Sequence, residues 1–441
     1  MHSDSRLLIP VPPVSSASPV RGLLGTLRHT TFRSLRHRNY RLYFFGQIVS
    51  FTGSWMQSAA LMWLVYDITR NPLWPPLLLV GQVGPTLLFG PLGGALADRL
   101  PKRRVILATQ SAFLLSTVAL AILVALGATS PLLLLAAAVV NGLIQSIDLP
   151  TRLAFVPDLV PKDDLINAVS LNSMLFNSAR AIGPAVAGLL FLLADAVVPL
   201  FPGARAVTLG AVWCFAFNAV SYLAVLAALR RIDSPETLRT KAATGSAWDG
   251  VEYLVRNPTL GFLLALTGAM CVFAWPALTL FPAYTDTVLH RAEKEYSVLV
   301  SGLGGGALVA ALVNATFGTV ARRGAFLIAG TVLAWFGLLA LAYAATLPLA
   351  VLASGCLGFG LILFLSTGQS TIQLSVPDDV RGRVMAVWAM TLSGGAPVGH
   401  LLAGFAARHF PIPDILLVLA LGVAACAAAA GSLAMTGLRR R

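Results

Sequence analysis

Long apolar stretches alternate with short polar ones along the whole chain, and each stretch is close to the ~20 residues a helix needs to cross a bilayer core. Twelve of them fall at about 42–66, 74–97, 104–127, 131–149, 166–194, 207–229, 260–284, 297–320, 325–345, 347–371, 384–407 and 414–437. The longest polar segment inside the chain, about 230–258, follows the sixth stretch and divides them six and six. This pattern predicts an all-α membrane protein with twelve transmembrane helices in two six-helix bundles. The expected order is an N-terminal tail (1–39), a first bundle (40–229), a linker (230–258), a second bundle (259–437) and a short C-terminal tail (438–441). Within the linker, Trp248-Asp-Gly-Val-Glu-Tyr253-Leu-Val-Arg256 alternates apolar and charged residues at helical spacing, which predicts a short amphipathic helix on the membrane surface.

Composition agrees: the chain is 57% hydrophobic and only 11% charged, whereas a soluble domain is charged at about 25% of its positions. A net charge of +13 would suggest nucleic acid in a soluble protein, but here the bases gather in alternate gaps between apolar runs. With a cytoplasmic N-terminus, 25 of the 31 Lys and Arg fall on the inner side, five on the outer side, and Arg180 inside a span. That asymmetry places both termini in the cytoplasm and excludes a nucleic-acid partner. The first forty residues hold no long apolar core, so no cleavable signal peptide is expected. Cys214, Cys271, Cys356 and Cys426 stand singly in separate apolar runs, as packing residues would, and no metal site is indicated.

Weak echoes relate the two halves. Val160-Pro-Lys-Asp-Asp164 resembles Val376-Pro-Asp-Asp379, Gly183-Pro184 resembles Ala396-Pro397, and Gly94 to Arg104 has a degraded counterpart at Gly318-Thr-Val-Ala-Arg322-Arg323-Gly324. The offsets of 216, 213 and 224 residues keep the same order, as an internal duplication would.

The loop Gly94-Ala-Leu-Ala-Asp98-Arg99-Leu-Pro-Lys102-Arg103-Arg104 packs charge between two apolar runs and must be a polar hairpin. It resembles the signature loop between the second and third spans of the major facilitator superfamily of secondary transporters, except that Pro101 stands where that family usually has Gly. The resemblance implies the major facilitator fold, close helix approach at Gly94, and a cytoplasmic latch built from Asp98, Arg99, Arg103 and Arg104. It also brings Asp148 and Arg152, near the inner end of span four, into that gating network; a local cap between those two is the competing account. Gly183-Pro184 resembles the span-five motif of the exporter and antiporter branches, where a bend would let one end close as the other opens; a tolerated kink is the bland alternative.

Arg180 lies about 13 residues into span five, roughly 20 Å deep at ~1.5 Å per residue. A base there costs on the order of 2.5–3.5 kcal/mol, so it must face water or a partner. It is the first candidate for a substrate contact, suited to an anionic or multiply hydroxylated ligand, with a structural pair as the rival account. Asn177, Gln57 and Gln369 could add uncharged polar groups to the site, or merely join helices. Trp55, Trp275 and Trp388 could stack on an aromatic ligand. His400 is the intramembrane residue whose unperturbed pKa lies near neutrality and Asp67 is the acid at the outer end of span one, so these two are the proton-coupling candidates; a lone His is more often simply hydrogen-bonded.

Several further runs, among them Asn39-Tyr40-Arg41, Trp55-Met-Gln57 and Asp148-Leu-Pro150-Thr-Arg152, resemble the bacterial exporter subgroup that includes the enterobactin exporter and macrolide efflux pumps. The resemblance implies a monomeric inner-membrane transporter, not an enzyme, that exports a siderophore, drug or macrolide-like compound by alternating access with proton antiport. An uptake or lipid-flipping transporter is one alternative, and a non-transporting receptor or scaffold is another. No Gly-x4-Gly-Lys-Ser/Thr loop exists to hold ATP, and no cofactor is expected.

Overall fold

The computed structural model describes residues 32–201, 203, 205–233, 247–317 and 322–439. Among the described residues there are fourteen α-helices. They are α1 (Arg38–Thr69), α2 (Trp74–Arg99), α3 (Lys102–Ala125), α4 (Pro131–Phe155), α5 (Leu165–Val197), α6 (Ala206–Arg230) and the short α7 (Ala247–Arg256), followed by α8 (Pro258–Phe273), α9 (Ala277–Thr287), α10 (Glu293–Phe317), α11 (Arg323–Tyr343), α12 (Leu347–Ser375), α13 (Asp378–Ala406) and α14 (Ile412–Arg439). Pro at the first or second helical position opens α2, α4, α8 and α12, where its missing N–H costs nothing. Ten segments among the described residues are long and apolar enough to cross a membrane, with α8 and α9 counted as one. The two remaining long helices, α2 and α13, pack on each other.

Each long helix reverses the direction of the one before, so the ends of the bundle can be named from the chain. The near end holds the start of α1 and the turns at Leu100 and Val160; the far end holds the turns after Thr69, Ala125, Val197 and Thr287. In the first half α1 packs on α5 and α6, α2 on α4, and α3 on α4 and α6. The second half repeats this arrangement: α8 packs on α13 and α14, α10 on α12, and α11 on α12 and α14. The halves meet along two seams, α5 against α10 and α2 against α13, and in this pairing α10 is the counterpart of α2, and α13 of α5.

Both a prediction and a surprise concern proline. Pro184 lies inside an unbroken α5, and having no N–H it leaves the carbonyl of Arg180 without its helical partner. Gly304 of α10 packs on that spot, where a side chain would stand 2.6 Å from the Arg180 carbonyl and 2.5 Å from Cα of Ala181. Pro150 does the same within α4, and there Gly93 of α2 sits against the carbonyl of Ser146. Span four was expected to close at 149, yet α4 continues to Phe155, so Asp148 lies seven residues, about 10 Å, inside the helix. Span seven is interrupted where α8 gives way to α9 at Ala274–Pro276, a break the apolar run at 260–284 conceals.

The linker helix α7 forms, but Gly250 and Leu254 are buried and Gly250 rests on the backbone of Arg383 and Val384, so it packs on α13. The counterpart loop at Gly318–Ala321 lies outside the described residues.

The seam yields a paired prediction. Gly304→Ala forces a Cβ into backbone and should lower the melting temperature by an amount equivalent to about 1–3 kcal/mol, whereas Gly305→Ala, with nothing within 4 Å of its added carbon, should leave it equal or slightly raised. Thermal unfolding of the two variants in detergent checks this.

Candidate functional site

Arg180 is buried in the seam between the halves. Its guanidinium carbon stands 4.9 Å from the ring centre of Trp55 on α1, 5.7 Å from Phe176 on its own helix and 4.9 Å from Trp275 at the α8–α9 break. Gly183 makes the approach possible, because any side chain there would meet Trp55 Cβ at 2.6 Å. Cation–π attraction of this kind is worth about 0.5–2 kcal/mol per face and offsets part of the cost of holding the charge away from water. No carboxylate pairs with Arg180 among the described residues. The guanidinium instead faces a narrow cavity lined by Trp55 and Trp275 with Leu278, Val300, Leu303 and Leu361, whose free space of about 10 Å³ holds on the order of one water. The cavity therefore draws on α1 and α5 from one half and on the α8–α9 break, α9, α10 and α12 from the other.

Arg180, Trp55 and Trp275 thus come together as the sequence suggested. Other candidates do not join them. Gln57 is buried inside the first half, where its Oε1 accepts from Asn218 Nδ2 at 2.7 Å and Thr117 Oγ1 at 3.2 Å. Gln369 is exposed and does not line the cavity. Trp388 is buried against α12, where its ring blocks a side chain at Gly368. The side chain of Asn177 lies outside the described residues.

At the far end, a charged clamp joins the halves. Tyr66 donates to Asp286 at 2.9 Å and Arg70 reaches the same carboxylate at 3.1 Å, which ties α1 to α9. Arg70 also holds Asp67 at 2.6 Å, and Arg205 takes the other oxygen of Asp67. Arg70 adopts a left-handed backbone at φ 47°, an uncommon conformation for a residue with a side chain. Trp63 stacks on Tyr296 of α10 at 5.3 Å, and Lys294 meets Asp195 at 3.5 Å. Asp67, a proton-coupling candidate, takes a guanidinium on each oxygen and so forms part of this clamp. Sequence reading missed Tyr66, Arg70 and Asp286; the available signal was an acid at the end of span seven facing a base at the equivalent end of span one.

The residues expected to latch the near end are dispersed. Asp148 is fully buried within the first half, with Arg152 Nε at 2.6 Å and donors from Thr109 and Gln110 at 2.6 and 3.0 Å. Arg152 in turn donates to Gln47 and lies over Phe51. Arg103 caps the end of α6 through the carbonyls of Leu229 and Arg230, Arg99 is exposed, and Lys102 pairs with Asp158. Arg103 and Asp148 are therefore not bonded to each other in this conformation, because each finds a partner inside its own half. The side chains of Gly94 and Asp98 lie outside the described residues. His400 is fully buried, its Nδ1 2.8 Å from Thr279 Oγ1, and its Nε2 has no hydrogen-bond partner among the described residues.

Beside α5, Asp164 collects Arg33, Arg36 and His37 and so fastens the segment before α1 to the near end. The hydrogen bond from His37, helped by Arg36 and Arg33 and opposed by burial, holds this carboxyl below the usual carboxylate range.

The sequence profile of a family described as transmembrane secretion effector matches residues 29–439. The chain belongs to this family of major facilitator transporters. The chain is similar to the enterobactin exporter EntS of Shigella boydii, 24% identical over 383 residues that cover 85% of this chain and 87% of that one. The staphyloferrin A transporter of Staphylococcus aureus is 30% identical over 151 residues, 34% of this chain and 38% of its own length. Two solved structures share the fold. An inward-facing bacterial homologue of the iron transporter ferroportin superposes with a TM-score of 0.66 at 16% identity, covering 90% of this chain and 98% of that one. An inward-facing, unoccupied bacterial homologue of the lysosomal transporter Spinster gives 0.64 at 15%, covering 91% and 98%. The chain is thus a multi-pass membrane transporter of small molecules and not an enzyme.

A pH prediction follows from Asp164. Its folded-state value is depressed, so the clamp is intact above the ordinary carboxylate value of about 3.9 and is lost as pH falls through the lower folded value. Hydrogen exchange of residues 32–40 should stay slow down to the ordinary carboxylate range and rise below it, and Asp164→Asn should show the fast exchange already at pH 7.

Proposed function

We propose that the transporter exports a small anionic compound from the cytoplasm across the bacterial inner membrane by alternating access, in exchange for protons. The carrying observation is Arg180, a cation inside the seam that is held by tryptophans from opposite halves and has no carboxylate partner among the described residues. A ligand carboxylate or phenolate would supply the missing counter-charge, and the indole faces suit a flat or ring-bearing body. The charge asymmetry supports near end and termini in the cytoplasm. The far end is then the outer one, and the clamp at Asp286 seals it while cargo loads from inside. Binding at Arg180 draws the halves together around the ligand, and the near end closes as the clamp parts.

Enterobactin and staphyloferrin A, the compounds for which the relatives are named, set the substrate class worth testing first, with drug- and macrolide-like compounds after them. His400 remains the candidate proton carrier, since its buried Nε2 has no hydrogen-bond partner among the described residues. The first half supplies the near-end latch, with Asp98 as its acid.

Inverted membrane vesicles with an acid interior should accumulate labelled enterobactin or staphyloferrin A, and Arg180→Ala should cut the initial rate at least ~10-fold at unchanged membrane level, with Arg180→Lys intermediate. Accumulation only in right-side-out vesicles would sink the export reading. Asp98→Asn should abolish export while the protein still inserts; normal flux by that variant would remove the latch.

A further inference from the structure

The far end holds a second and larger cavity, about 500 Å³, outside the clamp and between the two halves. Tyr66 and Arg70 line it from the first half, and Arg408 and Phe410 line it from the turn between α13 and α14. Its two guanidiniums differ in how they are engaged. Arg70 is bound to Asp67 and Asp286, whereas Arg408 is exposed and makes no side-chain hydrogen bond or ion pair among the described residues. The clamp itself is balanced, with Asp67 and Asp286 against Arg70 and Arg205, so Arg408 gives the cavity a net positive charge.

The two acids on Arg70 are also unequal. Asp67 is nearly buried, holds Arg70 at 2.6 Å and is shared with Arg205. The Asp286 side chain is 32% exposed and reaches Arg70 at 3.1 Å. Asp286 is therefore the partner an incoming anion would displace, and displacing it releases the only one of these acids that belongs to the second half. We propose that this vestibule is a second binding site, for ring-bearing carboxylates, whose occupant bridges Arg408 and Arg70 and loosens Asp286 from the clamp. Phe410 and Tyr66 give the ring its apolar walls, and the two guanidiniums favour a dicarboxylate. Occupancy on the far side would thus favour opening of the far end. This goes beyond the function of the central cavity and holds whether or not Arg180 carries cargo.

Phthalate, a flat dicarboxylate, is the probe. Spin labels at Ser130→Cys and Thr346→Cys, on far-end turns of opposite halves, report separation of that end in lipid nanodiscs, with Cys356 and Cys426 replaced by Ser. Phthalate, against sodium chloride of equal ionic strength, should shift the distances to longer values with saturation. Arg408→Gln should raise the half-saturating concentration at least ~10-fold, and Asp286→Asn should show the longer distances without ligand. The double variant Arg408→Gln/Asp286→Asn should also show them, which proves that the Arg408→Gln protein is folded and able to open. Absence of a phthalate-specific shift overturns the proposal, as does a shift that Arg408→Gln leaves unchanged. A shift that survives Arg408→Gln but disappears in Arg180→Met would assign the effect to the central cavity instead. Transport is not the readout, so failure here is separable from failure of the export reading.

Discussion

A guanidinium cannot rest in hydrocarbon without compensation, and the arrangement of the two halves around Arg180 answers that constraint. Three aromatic faces screen the charge, two of them from tryptophans on opposite sides of the seam. Aromatic faces soften the cost without cancelling the charge, as a carboxylate partner would. The site is therefore left with an electrostatic demand, which under the proposed function a bound anion would meet. Two other buried acids are satisfied locally: Asp148 has Arg152, and Asp67 has two arginines.

The far-end clamp shows how weak contacts can hold a large movement. Each exposed pair is worth ~0–1 kcal/mol alone, so the closed state there depends on Tyr66, Arg70 and the Trp63–Tyr296 stack acting together. Distributing the closure in this way leaves each part exchangeable. A single deep ion pair would hold more firmly and open more reluctantly.

Much of the scaffold was legible in the sequence because the bilayer imposes a length and a polarity on every crossing, and few soluble patterns imitate twelve such runs. Arg180 was legible for the same reason, as the base inside a span, and Trp55 and Trp275 by ring chemistry. Uncharged polar residues carried no comparable signal: Gln57 could as well face a ligand as join Asn218 and Thr117, and it does the latter. The clamp was illegible because Arg70 and Asp286 are 216 residues apart and look like ordinary border charges. The break before Pro276 was hidden by apolar residues on both sides. Arg103 drew attention through its place in a familiar loop, while its donors are spent on the carbonyls at the end of α6.

The proline at 184 has one more consequence. It frees the carbonyl of the same residue whose side chain reaches the cavity, and that carbonyl bears on Gly304 of the opposite half. The residue whose guanidinium faces the cavity thus also carries a backbone contact between the bundles, with no intervening side chain. One amino acid joins the lining of the cavity to the packing of the two halves.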